Sequence, residues 1–277
     1  MRMMTVSERD TETYLYVNGL TVPHAISLSA GTELLPANWK TSRDVVEAVC
    51  DSQLDFAVAS VFLPRVSSQL RVTASHGREL AIRAWNSVWD LLLLSAFFDC
   101  EAVCNFQSDL PVEQFDSAAR LHVTNYHLRG LVEVRMMTNE EVNWTAANFG
   151  AARDLLDTSA FQGAVHALAS YRWHSLPRAQ LALLWSGIEG LFRVDTEVVF
   201  RLSLYIARFL WPDDEHARRS AFARVKQLYR GRSKAVHGGP VKDDASLVVR
   251  ESAELLRTLI LRSVAVRGVP DLEILAP

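Results

Sequence analysis

At 277 residues, with 49 % apolar and 22 % charged side chains, the chain suits one large domain or two ordinary ones, globular and with a sizeable core. A net charge of −3 gives no overall pull toward nucleic acid or a membrane surface. Three cysteines, Cys50, Cys100 and Cys104, are too few for a disulfide framework and fit a reducing compartment. Cys100 and Cys104 are spaced as neighbours on a helix face, but no histidine pair stands at zinc-finger spacing, and no metal or other cofactor is expected.

The opening "MRMMTVSERDTETYLYV" holds no apolar run of signal-peptide length, which points to the cytoplasm. In "TYLYVNGLTV" (13–22), Asn18-Gly19 between apolar arms predicts a type I′ hairpin. The segments 55–63, 68–75 and 120–136 read as strands or hairpin arms, interrupted by a helix over about 77–98. The apolar run 84–98 inside that helix is about five residues short of a bilayer span and carries Asp90, so it reads as buried helix. No membrane partner is expected.

From about residue 139 the apolar period becomes helical. Segments at 140–156 and 159–172 are followed by "LALLWSGIEGLF" (181–192), where Leu181, Leu184, Trp185, Ile188, Leu191 and Phe192 form one stripe. A helix with Leu202, Tyr205, Ile206 and Phe209 inward comes next. Another runs from Asp213 to Tyr229 with Phe222, Val225 and Tyr229 inward, and the last from Asp244 to Val266. The fold class is therefore α+β: a strand-rich α+β domain over 1–138, then an all-α bundle over 139–277.

The charge map is less even than the total. Between His216 and Lys242 stand Arg218, Arg219, Arg224, Lys226, Arg230, Arg232, Lys234 and Lys242, with no acidic residue among them. Removing those eight from 29 basic residues leaves 21 against 32 acidic ones. A basic helix and loop on an acidic body confines polyanion binding to one place. The plainer reading is a solvated helix face, although such a face normally interleaves acids for i,i+4 pairing.

Within this segment lies "LYRGRSKAVHGGP" (228–240). RNA supplies its own nucleophile, the 2′-hydroxyl, so a cleaving enzyme must move a proton and stabilise charge on phosphorus. Histidine suits the first task and arginine the second. Arg230 and His237 share a face of a continuous helix, whereas Arg232 and His237 lie about 140° apart on one. Gly231 and Gly238-Gly239-Pro240 suggest that the helix is loosened here. Ser233 stands one turn before His237 and is placed to orient its imidazole. Spacing alone does not choose between the two arginines.

Tyr229, Arg232-Ser233, Ala235-Val236 and His237-Gly238 resemble the signature of the HEPN superfamily, its Apea-like branch in particular. Upstream, "LLWSGIEGLFRV" resembles the branch's other recurrent block, with Glu189 at the position of its glutamate, and "RLSLYIARFL" is similar to the helix after it. The resemblance covers about 140–266. It implies a helical bundle, commonly a homodimer with the Arg and His of both subunits in one cleft. It also implies metal-independent RNA endonuclease activity, tRNA included among substrates, frequent in toxins and phage-defence proteins that act with an antitoxin or defence partner. By the same resemblance Arg232 is the phosphate-binding arginine, His237 the acid/base and Glu189 an orienting residue. Arg230, Ser233 and Lys234 would contact substrate, and Tyr229 would pack or stack. Active members often carry Asn, Asp or His where Ser233 stands. Two other readings stay open: a HEPN module that binds or dimerises without catalysis, and an RNA-binding protein that does not cut.

Overall fold

A computed structural model describes residues 3–126, 133–236 and 245–275, the side chains of Ala235 and Val236 excepted. His237, Gly238, Gly239, Pro240 and Lys242 lie outside the described residues. The architecture is α+β, a strand-rich sheet followed by a helical region. The chain divides into two compact units, Met1–Gly150 and Ala151–Pro277. The division falls inside a helix, about a dozen residues after the change in sequence period near 138.

The first unit is built on an antiparallel sheet in the order β3-β4-β5-β1-β6-β7. Its strands are β1 (Glu12–Asn18), β3 (Ile26–Ser29), β4 (Thr32–Pro36), β5 (Val66–Thr73), β6 (Val103–Ser108) and β7 (Leu121–Val123). A separate parallel pair joins β2 (Leu20–Thr21) to β8 (Arg135–Met136). Central β1 is buried along almost its whole length. Its alternation puts Tyr14 and Tyr16 on one face, where they pack with Val58, Ala59 and Phe62. The helices α1 (Arg43–Val49) and α2 (Gln53–Phe62) supply that cover, while α3 (Gly77–Phe98) packs against β5, β1 and β6. Phe97 of α3 meets Trp144 and Phe149 edge-on; both stand on α4 (Asn139–Leu155).

Four expectations for this half are corrected. Asn18-Gly19 makes no hairpin, because β1 is already paired on both edges, with β5 and β6, and has no edge left for β2. Gly19, at φ +83, instead bends the chain away, and a Cβ there would stand 2.0 Å from the Glu101 carbonyl oxygen. The segment 55–63 is helical: Ser52 caps it by accepting from the Asp55 amide, and Val58, Ala59 and Phe62 bury at helical spacing. Of 120–136, only the short β7 and β8 are strand among the described residues. Cys100 and Cys104 share no helix face, since Cys100 follows the end of α3 and Cys104 lies on β6; both are buried.

The second unit holds α5 (Ser159–Ser170), α6 (Pro177–Phe192), α7 (Val198–Leu210), α8 (Glu215–Val236), α9 (Ala245–Val266) and α10 (Leu272–Leu275). The full stripe of α6 from Leu181 to Phe192 is buried, and α6 packs against α5, α8 and α9. Gly187 makes the tightest of these approaches possible: a Cβ there would stand 2.9 Å from Ala167 Cβ and 3.1 Å from Leu256 Cδ2. The basic helix differs from expectation at its end. It continues past Tyr229 to Val236, and Gly231 does not loosen it. A Cβ on Gly231 would meet Val248 of α9 at 3.3 Å, so the glycine serves close packing. No helix among the described residues is long and apolar enough to cross a membrane.

The Gly187 crossing yields a measurable expectation. Gly187→Val would have to push α5 or α9 outward, and overpacking of this kind costs about 1–3 kcal/mol. A urea titration should show a lower midpoint with an unchanged slope.

Candidate functional site

The site grows from two helices that the sequence separates and the fold brings together. On α6, Trp185 and Glu189 are one turn apart; on α8, Tyr229 and Arg232 are three residues apart and face the same side. The Trp185 indole is fully buried and donates its one N–H to Ser252 Oγ on α9 at 3.1 Å. With the indole pinned, the Tyr229 ring meets it edge-on, centroids 5.1 Å apart. The Arg232 guanidinium lies over the Tyr229 ring at 5.5 Å. Arg232 Nη2 then stands 3.5 Å from Glu189 Oε1.

This cluster lies at the rim of the core. The Arg232 side chain is 19 % exposed and that of Glu189 31 %. Their separation is longer than a good charge-assisted hydrogen bond, and Arg232 Nε and Glu189 Oε1 find no hydrogen-bond partner among the described residues. At this exposure the ion pair contributes at most about 1 kcal/mol to stability. The chemical consequence matters more: an arginine oriented by an aromatic ring, only loosely paired and still 19 % exposed, suits an anion with several oxygens. Burial, then the Glu189 carboxylate, raises the Tyr229 phenol above its ordinary pKa, with the Arg232 charge working the other way.

The remaining candidates separate around α8. Arg230 is two residues before Arg232 on a regular helix, which turns the two about 160° apart. Within one chain they do not grip the same phosphate group. Arg230 and Lys234 are exposed, and among the described residues neither pairs with a carboxylate. Ser233 is half-buried. Its relation to His237, and that of either arginine to His237, fall outside the described residues. Among the described residues no three His, Cys, Asp or Glu side chains stand close enough to share a metal ion.

Sequence reasoning placed Glu189, Tyr229 and Arg232 in one region but missed the part played by Trp185, which it read only as a stripe residue. The usable signal was the indole N–H: a tryptophan on the buried stripe must find a polar partner, and such a residue orders its neighbours. Comparison with protein-family models, with curated proteins and with solved structures finds no match.

The coupled charges around Tyr229 can be read directly. Glu189→Gln removes a negative neighbour and should lower the Tyr229 titration midpoint, whereas Arg232→Gln should raise it further. Tyrosine ring carbon shifts followed by NMR across alkaline pH report both. Equal midpoints in all three proteins would mean that the groups do not interact.

Proposed function

We propose that the protein is a metal-independent RNA endonuclease of the HEPN kind. It works in the cytoplasm as a homodimer formed through the helical half, within a toxin or phage-defence system whose partner restrains it. The observation that carries this reading is the approach of Glu189 to Arg232 at 3.5 Å. The resemblance assigns those two residues to one site from two separate blocks of sequence. An arginine held only loosely by its carboxylate, at 3.5 Å, can exchange that partner for a phosphate.

In this reading Arg232 holds two non-bridging phosphate oxygens and neutralises the charge that builds on phosphorus. Glu189 is a positioning residue that fixes the guanidinium, with Tyr229 beneath it. The RNA 2′-oxygen attacks the adjacent phosphorus and gives up its proton, the bond from phosphorus to the 5′-oxygen breaks, and the leaving oxygen is protonated. The products are a 2′,3′-cyclic phosphate and a 5′-hydroxyl. His237 moves the proton, as an imidazole is suited to do near neutral pH. Arg230 and Lys234, turned to solvent, hold neighbouring phosphates, tRNA being one candidate substrate. Those exposed cations would equally serve an RNA-binding protein that does not cut.

The test incubates purified protein with total RNA in EDTA beside Arg232→Ala and His237→Ala. Wild type should cleave, and each variant should lose about 10²–10⁴-fold in rate. Equal cleavage by the variants overturns the site assignment. RNA binding without cleavage makes the protein an RNA binder, and neither activity leaves a HEPN module for binding or dimerisation.

A further inference from the structure

A second feature of α8 lies at the end away from Arg232. There α7 and α8 leave a groove of about 550 Å³ between them, within the usual range for a small-ligand site. Each helix contributes one face of it. Phe200, Leu204 and Arg208 come from α7 at one-turn spacing, and Arg218, Arg219 and Phe222 from α8. The floor is aromatic: Phe200 and Phe222 meet edge-on with centroids 5.6 Å apart. Phe200 nevertheless remains 54 % exposed, so about half of it faces solvent rather than the core.

The rim is cationic. Three arginines face one carboxylate, Glu215, which pairs with Arg219. Arg208 donates to the Leu275 carbonyl, and Arg218 to the carbonyls of Trp211 and Pro212, so both are oriented by neutral acceptors, and neither pairs with a carboxylate among the described residues. The groove is also not isolated. Arg218, Phe222, Lys226, Arg230 and Lys234 follow one another at four-residue steps, a single ridge along α8. Lys226 Nζ lies 5.8 Å over the Phe222 ring. At 1.5 Å per residue, the ridge spans about 24 Å from Arg218 in the groove to Lys234.

An aromatic floor with a cationic rim, continued by a line of cations, is what a single strand of nucleic acid needs: a face to stack a base on and positive charge to follow its backbone. We infer that the α7–α8 groove is a base-stacking subsite for single-stranded RNA. Phe200 and Phe222 receive one base, Arg208, Arg218 and Arg219 hold its phosphates, and the ridge of α8 carries the backbone on past Lys226 and Arg230 to Lys234. The inference takes its ligand from the nuclease reading but requires no cleavage. It sets specificity by unpaired structure rather than by base sequence, because every base has a face to stack.

The experiment measures binding of a short 2′-O-methyl oligouridylate, which lacks the attacking hydroxyl, by fluorescence anisotropy. Phe200→Ala should weaken binding about tenfold, and Phe200→Tyr should retain it. An abasic oligomer of equal length should bind wild type weakly and lose nothing further in Phe200→Ala. Arg218→Gln should reduce the salt dependence by about one phosphate contact. Unchanged affinity in Phe200→Ala, or an equal loss on the abasic strand, overturns the inference. So does binding of polyglutamate in place of RNA. The two readings separate cleanly. RNA binding that needs Phe200, with no cleavage of unmodified RNA, removes the nuclease and keeps the groove; cleavage with Phe200→Ala binding normally does the reverse.

Discussion

A buried indole carries one donor and must satisfy it, and in this protein that requirement organises the helical unit. Trp185 reaches Ser252 on α9, which fixes the rotation of α6 against α9. The third helix of the contact, α8, can then approach only where the Tyr229 ring fits the indole edge. Gly231 permits the approach by leaving Val248 its space. Arg232 follows from that placement, because a residue three after Tyr229 on the same face must lie over its ring and beside Glu189. The position of the arginine is thus set by packing, and the ion pair is a result of that packing more than its cause.

The same geometry gives the two ends of α8 different surroundings. Its inner side is occupied by Val225 and Leu228, which are buried, while its cations divide among different surroundings. Arg224 is tied to Glu251 on α9 and Arg232 to Glu189 on α6, so both are partly structural. Arg230 and Lys234 face solvent on the far side. A count of charges treats all of them alike; the helix sets some against carboxylates and leaves others in solvent.

How legible this was in the sequence depended on whether a local pattern met competition. The stripe from Leu181 to Phe192 buries as its period predicts, because six apolar residues at helical spacing leave no other face to choose. The strand over 55–63 was a misreading of a short apolar run, where the deciding feature was the cap at Ser52 and not the hydrophobicity. Asn18-Gly19 carried a sound turn signal, but β1 was committed to two other partners far along the chain. Gly231 read as a breaker because sequence cannot show Val248 facing it. At the site, the resemblance pointed to Glu189 and Arg232 together, whereas the packing that brings them within 3.5 Å of each other could not be read from spacing along either helix.

The unbroken ridge on α8 has a thermodynamic side. Lys226, Arg230 and Lys234 are like charges one turn apart, and each such pair opposes the helix by about 0.2–0.5 kcal/mol. A helix built this way is held by its packing against its own electrostatic preference, and it gains when counterions collect along it. Screening should relieve that repulsion while weakening the ion pairs of the same helix, Arg219–Glu215 and Arg224–Glu251. A polyanion laid on the ridge would bind and relieve that self-repulsion in one event, so part of its affinity would already be stored in the folded chain as repulsion awaiting neutralisation.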